Sequence, residues 1–250
     1  MDDFDLVVGL HSIKCALQNK SRNFYKLVGT EESLADLKQE IKSSQVEVQM
    51  VSSHKAQEEA KTYFKKRGLE YHRVPGNCFL VCSALEVLDV AKLYAEVKPG
   101  LRILALDQIS DVHNAGAILR TASFYNIDFV IIPQRNSFGL TPSFFRIASG
   151  ATEYVKLVET TKLTRTLTKL KELGCSTIAL SEHAEGDLES VLNDSSRSLV
   201  LVLGKEDTGI SNAVLRVCDH KMSLESQGSI KSLNVSIASA IAMEKCFRKR

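Results

Sequence analysis

Continuous apolar runs mark the second half of the chain and predict buried strands at residues 103–106, 129–132, 177–180 and 199–203. A strand that is apolar on both faces is buried on both faces, as in a parallel sheet covered by helices. Stretches of helical period fit between these runs, at residues 115–125, 162–173 and 211–217. We therefore predict an α/β domain built on a mostly parallel sheet.

The first part of the chain alternates short apolar runs, at residues 6–10, 46–51 and 79–82, with charged stretches of helical period at 32–42 and 54–66. This alternation is typical of a small α/β unit. Residues 84–97 read as a helical or extended connector, which the turn-forming pair Pro99 and Gly100 closes. We expect a first domain at residues 1–83, a linker at 84–99 and a second domain at 100–250.

The last element, residues 232–247, is apolar nearly all round in its first half and is followed by the basic residues Arg248, Lys249 and Arg250. It predicts a buried helix with a solvated tail. No apolar run approaches the roughly 20 residues that span a bilayer. The acidic start of the chain also lacks the basic-then-apolar order of a signal peptide. We expect a cytoplasmic protein without a membrane segment.

Composition is that of an ordinary globular protein, with 44% apolar and 25% charged residues, and argues against disorder or a small disulfide scaffold. The net charge is only +2, so any nucleic-acid site must be a local patch. One such cluster, with Tyr63 and Tyr71 interleaved, is either a solvated helix face or an RNA-contacting patch. Its basic members are Lys61, Lys65, Lys66, Arg67, His72 and Arg73.

Familiar cofactor and metal patterns are missing from the sequence. There is no G-x-G-x-x-G dinucleotide fingerprint, and Ile210 stands where a P-loop would need its lysine. The six histidines are never paired at helical spacing, and His72 with Cys78 and Cys82 is better explained by strand-buried cysteines than by a metal site. We expect no metal, and we expect the six scattered cysteines to be reduced thiols.

The loop after the first buried run of the second domain carries a candidate site. Asn114 is a good helix N-cap, and Gly116 allows another backbone or a ligand to approach closely. Arg120 is the only charged residue between Asn114 and Asn126. It either extends along a helix that packs on the sheet or holds a phosphate with its planar guanidinium.

Two further loops are unusual. Gly204 ends a strand, where bare backbone accommodates a flat ligand, and Glu206 supplies an acceptor beside it. The other loop leads into the last helix, and either Ser232 or Asn234 can cap that helix.

Three motifs of this chain, taken in order, resemble the three signature motifs of the SpoU family. They are N-x-G-x-x-x-R-T-A, L-G-x-E-x-x-G-I-S and G-S-x-x-S-L-N-V-S-x-A. This family comprises S-adenosylmethionine-dependent RNA ribose 2'-O-methyltransferases of the SPOUT superfamily. The likeness runs from Leu104 to about Glu244. In addition, the segment that begins at Val7 is similar to the start of an L30e-like RNA-binding domain. Its sequence is V-V-G-L-H-S-I-K-C-A-L. Members that methylate a guanosine of large-subunit (23S) ribosomal RNA carry that domain.

The resemblance implies an α/β domain whose C-terminal segment forms a trefoil knot, one of the rare exceptions to unknotted folds. It also implies a homodimer, S-adenosylmethionine as cofactor and structured RNA, rather than DNA, as partner. The adenine and ribose of the cofactor would rest on backbone around Gly204, Leu224, Ser226 and Leu233. The reactive site would comprise Asn114, Arg120, Glu206, Ser232 and Asn234.

Two positions depart from the family pattern. Val112 stands where the first motif usually has proline, which changes only loop stiffness. Leu224, Glu225 and Ser226 stand where the third motif usually reads Ile-Pro-Met. Glu225 therefore places a charge in a loop expected to wrap the cofactor.

The implied reaction is attack of a ribose 2'-hydroxyl on the methyl group of the cofactor. Arg120 is protonated at ordinary pH, which favours a phosphate-binding role. The proton acceptor stays open between Glu206, water and a perturbed Arg120. The neutral Asn114, Ser232 and Asn234 suit positioning of the ribose and loops.

Two other functions fit the same sequence. One is a tRNA ribose methyltransferase of the same superfamily, against which the L30e-like start argues, since such a domain docks on folded RNA. The other is a non-catalytic RNA-binding or ribosome-assembly protein on the same fold. The Glu225 and Ser226 departure supports it, and the presence of every expected reactive residue opposes it.

Overall fold

A computed structural model describes residues 4–181, 188–194, 196–230 and 232–248. The described residues form eleven strands and eleven α-helices. The strands are β1 (Phe4–Val8), β2 (Phe24–Gly29), β3 (Val48–Met50), β4 (Phe79–Ser83), β5 (Val87–Asp89), β6 (Arg102–Asp107), β7 (Phe129–Pro133), β8 (Lys156–Thr160), β9 (Ser176–Leu180), β10 (Leu199–Gly204) and β11 (His220–Met222).

The helices in the described ranges are short, and the longest has 14 residues. None of them combines the length and apolar character needed to cross a membrane. They are α1 (Leu10–Gln18), α2 (Glu31–Ala35), α3 (Lys38–Ser44), α4 (Ser53–Lys66), α5 (Val90–Ala95), α6 (Val112–Phe124), α7 (Pro142–Ala148), α8 (Leu163–Glu172), α9 (Leu188–Asn193), α10 (Asn212–Leu215) and α11 (Val235–Phe247).

The chain forms two compact units. The first contains the residues up to Glu86 together with Gly139–Tyr154, and the second contains Val87–Phe138 and the residues from Val155 on. The expected linker, residues 84–99, therefore contains two elements of the second unit, β5 and α5. The burial of Leu88 and Leu93 in the core of that unit explains the difference. The segment that includes α7 leaves the second unit between β7 and β8, which a single linear boundary could not predict.

The first unit is a four-stranded sheet with the order β1-β4-β2-β3. Strand β4 is antiparallel to both β1 and β2, whereas β3 is parallel to β2. Alternate residues of β1 and β4 pack with Ala60 and Phe64 of α4, because the apolar positions of that helix recur at intervals of four. The predicted small α/β unit is present.

Ionised side chains are buried in this first unit. Arg22, which is 5% exposed, donates to Asp5 at 2.8 Å and to Glu153 at 2.9 Å. Burial alone would lower the pKa of the guanidinium, but the hydrogen bonds and attraction to Glu153 outweigh it and raise that pKa above its ordinary value. Because Glu153 belongs to the segment Gly139–Tyr154, this cluster fastens that segment to β1.

The second unit is a seven-stranded sheet with the order β11-β9-β10-β6-β7-β8-β5, and every neighbouring pair is parallel. The four predicted apolar runs correspond to β6, β7, β9 and β10. All six residues of β10 are buried, as the continuous run predicts for a strand in the middle of a covered sheet. The predicted α/β class with a parallel sheet is confirmed.

The last helix, α11, differs from the expectation. It packs against β10 and α6, and Met243, Cys246 and Phe247 are buried. However, Ile237 is 53% and Ile241 39% exposed, so one apolar stripe of the helix is open in the single chain. A helix that is apolar all round is buried only when neighbours cover every side, and within the described residues they cover only part of this one.

All six cysteines lie among the described residues, and none of them forms a disulfide there. Burial raises the pKa of the Cys78 thiol to about 11 and that of Cys82 to about 12. These thiols are therefore protonated near neutral pH and pack as small apolar groups. No group of three potential metal-ligating side chains occurs in the part of the chain that the structure describes.

We expect Arg22→Met to destabilise the protein by about 3–5 kcal/mol, because it leaves the buried carboxylate of Glu153 without a guanidinium and that of Asp5 with only the guanidinium of Arg67. Urea unfolding followed by circular dichroism measures the change. As a control, Lys169→Met removes an ion pair with Glu172 whose side chains are 48% and 59% exposed, and we expect a change below about 0.5 kcal/mol. Equal midpoints for both variants would show that the buried cluster contributes no more than a surface pair.

Candidate functional site

The carboxyl end of β6 leads into α6, and an aspartate begins that helix. The Asp111 side chain accepts a hydrogen bond from the backbone N–H of His113 at 2.8 Å and is the N-cap. The expectation that Asn114 caps this helix is therefore wrong. Asn114 lies in the first turn, so its side chain is free to bind groups outside the helix.

Asn114, Glu206 and Asn234 meet in a hydrogen-bonded triangle. The Asn114 Nδ2 atom donates to Glu206 Oε2 at 3.1 Å, and Asn234 Nδ2 donates to Asn114 Oδ1 at 3.0 Å. Asn234 Nδ2 also lies 3.2 and 3.1 Å from the two carboxylate oxygens of Glu206. The first turn of α6, the loop after β10 and the start of α11 are thereby joined through side chains far apart in sequence.

Asn234 has a second role as the N-cap of α11. Its Oδ1 atom accepts from the backbone N–H of Ser236 at 2.9 Å and from Ser236 Oγ at 2.6 Å. The capping role considered for Ser232 or Asn234 therefore falls to Asn234. Because Oδ1 faces the helix, Nδ2 is directed toward Glu206.

The turn after β10 itself requires a glycine at position 204. A Cβ atom at Gly204 would lie 2.2 Å from the backbone of Gly209 and Ile210, so the glycine makes room for its own chain. Lys205 and Gly209 exchange backbone hydrogen bonds of 3.1 and 2.8 Å across this turn. The buried Asp107, at the end of β6, accepts from Ser211 N at 2.7 Å and holds the turn beside the sheet.

A cavity of about 630 Å³ opens beside this turn, within the second unit. The Ser226 hydroxyl, which donates to the carbonyl oxygens of Gly228 and Ile230 at 3.2 and 2.5 Å, closes one of its loops. All four residues expected to contact a cofactor line it, together with two of the five expected reactive residues. These six are Gly204, Glu206, Leu224, Ser226, Ser232 and Leu233.

Arg120 takes no part in the hydrogen bonds of the triangle. It is exposed on α6 and has no hydrogen-bond or ion-pair partner among the described residues. Phe124, one turn further along the same face of α6, is 81% exposed. The structure thus favours an available guanidinium over an arginine that packs along the sheet.

Sequence reasoning missed several residues that shape the site. Asp107 holds the turn after β10, and Asp111 caps α6. Each aspartate lies at or just after the end of the buried strand β6, and this position in the sequence is a signal that could have identified both. Ile241 and Lys245 of α11 also line the cavity, with Ala238 on the same stripe. Their spacing of three and four residues marks one helical face, but nothing in the sequence identifies what that face meets.

The basic cluster of the first unit is partly committed to its own fold. Lys61 lies over the ring of Tyr71 at 5.2 Å, and Lys66 over Tyr63 at 5.1 Å. Arg67 donates to the carbonyl oxygen of Phe4 and to Asp5 Oδ1, the latter at 3.2 Å. Lys61, Lys65 and Lys66 are exposed, whereas Arg67 is better explained as a structural residue.

Comparison with known proteins points to one family. The sequence profile of the SpoU rRNA Methylase family matches residues 102–244. A Nitrosomonas europaea protein named 23S rRNA (guanosine-2'-O-)-methyltransferase RlmB is 37% identical over 147 residues, 59% of this chain and 56% of that protein. The Acinetobacter baylyi protein of the same name is 33% identical over 186 residues, 74% of this chain and 75% of that one. This chain thus spans little more than half the length of the Nitrosomonas relative.

A solved structure shares the fold over nearly the whole chain. The SpoU methyltransferase AviRb from Streptomyces viridochromogenes, in complex with the cofactor AdoMet, gives a TM-score of 0.76 at 19% identity. The match covers 98% of this chain and 89% of that chain.

The double role of Asn234 gives a test by two substitutions. We expect Asn234→Ala to destabilise the protein by about 1 kcal/mol, since it removes the cap of α11, whereas Asn234→Ser retains a capping oxygen and costs less than half as much. Neither variant keeps the amide that binds Glu206. Thermal and urea unfolding measure the stabilities, and equal losses in the two variants would show that the contact with Glu206, not the cap, stabilises α11.

Proposed function

Because the chain belongs to the SpoU rRNA methylase family, we propose that it is an S-adenosylmethionine-dependent RNA ribose 2'-O-methyltransferase acting on a guanosine of large-subunit ribosomal RNA. The names of the Nitrosomonas and Acinetobacter relatives support this substrate. Such a substrate also supports a cytoplasmic location.

The observation that carries the proposal is the position of the triangle beside the cavity. Glu206 belongs to both: it lines the cavity and accepts hydrogen bonds from Asn114 and Asn234. A ligand in the cavity and a hydroxyl group approaching the triangle would therefore meet at one carboxylate. Alignment of two reactants is the main task of an enzyme whose cofactor already carries a good leaving group.

The cavity fits S-adenosylmethionine. Three apolar side chains at its wall are unusually exposed, Ile230 at 79%, Leu233 at 49% and Ile241 at 39%, and an adenosine group would cover apolar surface of this kind. Polar backbone and charged side chains complete the lining. The bound structure of the Streptomyces methyltransferase supports the same cofactor. Leu224, Ser226 and Leu233 are the residues proposed to hold it, with Gly204 shaping the adjacent turn.

The chain's own residues have distinct tasks in this proposal. Bound S-adenosylmethionine supplies an electrophilic methyl group on a sulfonium. Glu206 accepts the proton of the ribose 2'-hydroxyl, since it is the ionisable member of the triangle, and Asn114 and Asn234 hold its carboxylate in place. Ser232, exposed at the cavity wall, orients the ribose.

Arg120 is proposed to bind the substrate phosphate through its planar guanidinium. Arg120 makes no hydrogen bond to the triangle among the described residues, and we place it at the interface of a homodimer. The exposed apolar residues Phe124 and Ile237 lie on the packed helices α6 and α11, and a second chain would cover them. Arg120 shares its helix face with Phe124, so it would lie at that interface.

Two finer features of the fold belong to the same proposal. The first unit is proposed to be an L30e-like domain that docks on RNA, supported by the exposed lysines of α4. The C-terminal segment is proposed to form a trefoil knot. Its support is that Leu224 and Ser226, after β11, line the same cavity as the turn after β10, while α11 packs back on β10.

Calorimetry with S-adenosylmethionine and transfer of a labelled methyl group to 23S rRNA test the function. We expect Arg120→Ala to leave cofactor affinity within a few fold and to lower the transfer rate about a hundredfold, as loss of a positioning contact can. Arg165→Ala, which changes an exposed arginine of α8, is the matched control and should retain full activity. Absence of cofactor binding by the unmodified chain would refute the proposal, and transfer only to tRNA would correct its substrate.

The exposed lysines of α4 give a separate test of RNA docking. We expect the combined change of Lys61, Lys65 and Lys66 to glutamine to weaken rRNA binding and to reduce its salt dependence, because fewer counterions are released. The control carries equal charge loss at Lys20, Lys38 and Lys42, which are exposed elsewhere in the first unit. Filter binding at several salt concentrations measures both. If the two triple variants behave alike, the cluster is only a solvated helix face.

A further inference from the structure

The loop that joins β6 to α6 contacts the turn after β10 at two places. At the far end of the turn, the Asp107 carboxylate accepts a hydrogen bond from Ser211 N at 2.7 Å. Near the start of the turn, Asn114 donates to Glu206 Oε2 at 3.1 Å. The turn that carries Glu206 is therefore held by one neighbouring loop, both through its backbone and through its reactive side chain.

Ser211 is fixed on both sides. Its N–H donates to Asp107, and its carbonyl oxygen accepts from the backbone N–H groups of Val214 and Leu215 in α10. Within the described residues, the Ser211 side chain forms no capping bond to that helix. Ile210, which is 6% exposed, anchors the same end of the turn in the core, but apolar contact is not directional. The directional contact of a side chain with this end of the turn thus comes from Asp107.

Asp107 lies at a constrained point of the backbone. It is the last residue of β6, is 6% exposed and pairs with Gly204 in the parallel register with β10. The next residue, Gln108, has a φ of 61°, in the left-handed region that glycine favours. Residues other than glycine persist there only where surrounding contacts fix them, and such positions cluster at functional sites. A buried carboxylate also costs free energy unless hydrogen bonds compensate it, and the bond from Ser211 N does so.

We propose that Asp107 is a positioning residue for methyl transfer, which acts through Ser211 and the turn to fix the backbone of Glu206. This inference rests on the proposed function, in which Glu206 accepts the proton of the ribose 2'-hydroxyl. The two asparagines of the triangle hold the Glu206 carboxylate, whereas Asp107 holds the backbone that carries it. Without the Asp107 contact, the turn shifts relative to β6 and the carboxylate loses its alignment, which lowers the rate more than the affinity for the cofactor.

Single-turnover methyl transfer to 23S rRNA, with cofactor affinity from calorimetry on the full chain, separates rate from binding. We expect Asp107→Ala to lower the rate about tenfold or more and to leave the affinity for S-adenosylmethionine within about threefold. Asp107→Asn keeps an oxygen acceptor for Ser211 N and should retain most of the rate. Asp128→Ala is the matched control, because it removes a carboxylate that accepts from Arg102 N at 2.9 Å at the opposite end of β6. Its rate should be unchanged.

A double-mutant cycle with Glu206→Gln shows through which residue Asp107 acts. We expect Asp107→Ala to have little further effect in a chain that already carries Glu206→Gln, since both changes remove the same aligned carboxylate. Equal losses in the two backgrounds, or a loss that Asp107→Asn shares in full, would overturn the assignment. If Asp107→Ala does not fold, Ser211→Pro removes the donor instead, since Ser211 has a φ of −60°, which proline adopts, and the same pattern is expected.

The proposed function and this inference fail by different observations. If the unmodified chain transfers no methyl group, both fail. If it transfers and Asp107→Ala transfers equally fast, only the positioning role of Asp107 is overturned. If Glu206→Gln leaves the rate unchanged, another group accepts the proton, and the role of Asp107 through Glu206 is overturned while methyl transfer stands.

Discussion

Complete burial of β10 is the constraint on which the rest of the second unit depends. Its five side chains are covered by β9 and β6 at its edges and by the helices above and below, so none of them can meet a polar ligand. Polar chemistry is therefore confined to the carboxyl end of the strand, as in other open parallel sheets. Gly204 is the point of transition, where the chain turns so tightly that no side chain fits.

Asn234 connects α11 to the carboxylate of Glu206 at that edge. One amide oxygen satisfies the first turn of α11 while the amide nitrogen holds Glu206, so the cap and the site share a single side chain. Asn114 donates to the same carboxylate from the first turn of α6, whose cap is Asp111. The carboxylate thus accepts hydrogen bonds from side chains at the starts of two helices, which in the proposed enzyme would keep it aligned.

The sequence predicts the strands whose side chains are buried on both faces and misses those at or near the sheet edges. Strands β5 and β11 have only three residues each, and in β8 Lys156 and Glu159 are exposed, so no continuous apolar run exists to find them. Asn114 and Asp111 are both good caps, and local sequence could not choose between them. The triangle joins residues 92 and 120 positions apart, and only the family resemblance, not local pattern, could predict that they meet.

One stripe of α11 is exposed because the described residues of a single chain do not cover every side of this helix. Ala238, Ile241 and Lys245 face the cavity, Met243 and Phe247 fill the core, and Ile237 has no cover among the described residues. A helix with apolar residues on nearly every side gains stability from each surface that covers it. In the proposed enzyme, cofactor and a second chain would cover different parts of this helix, and each would therefore stabilise it.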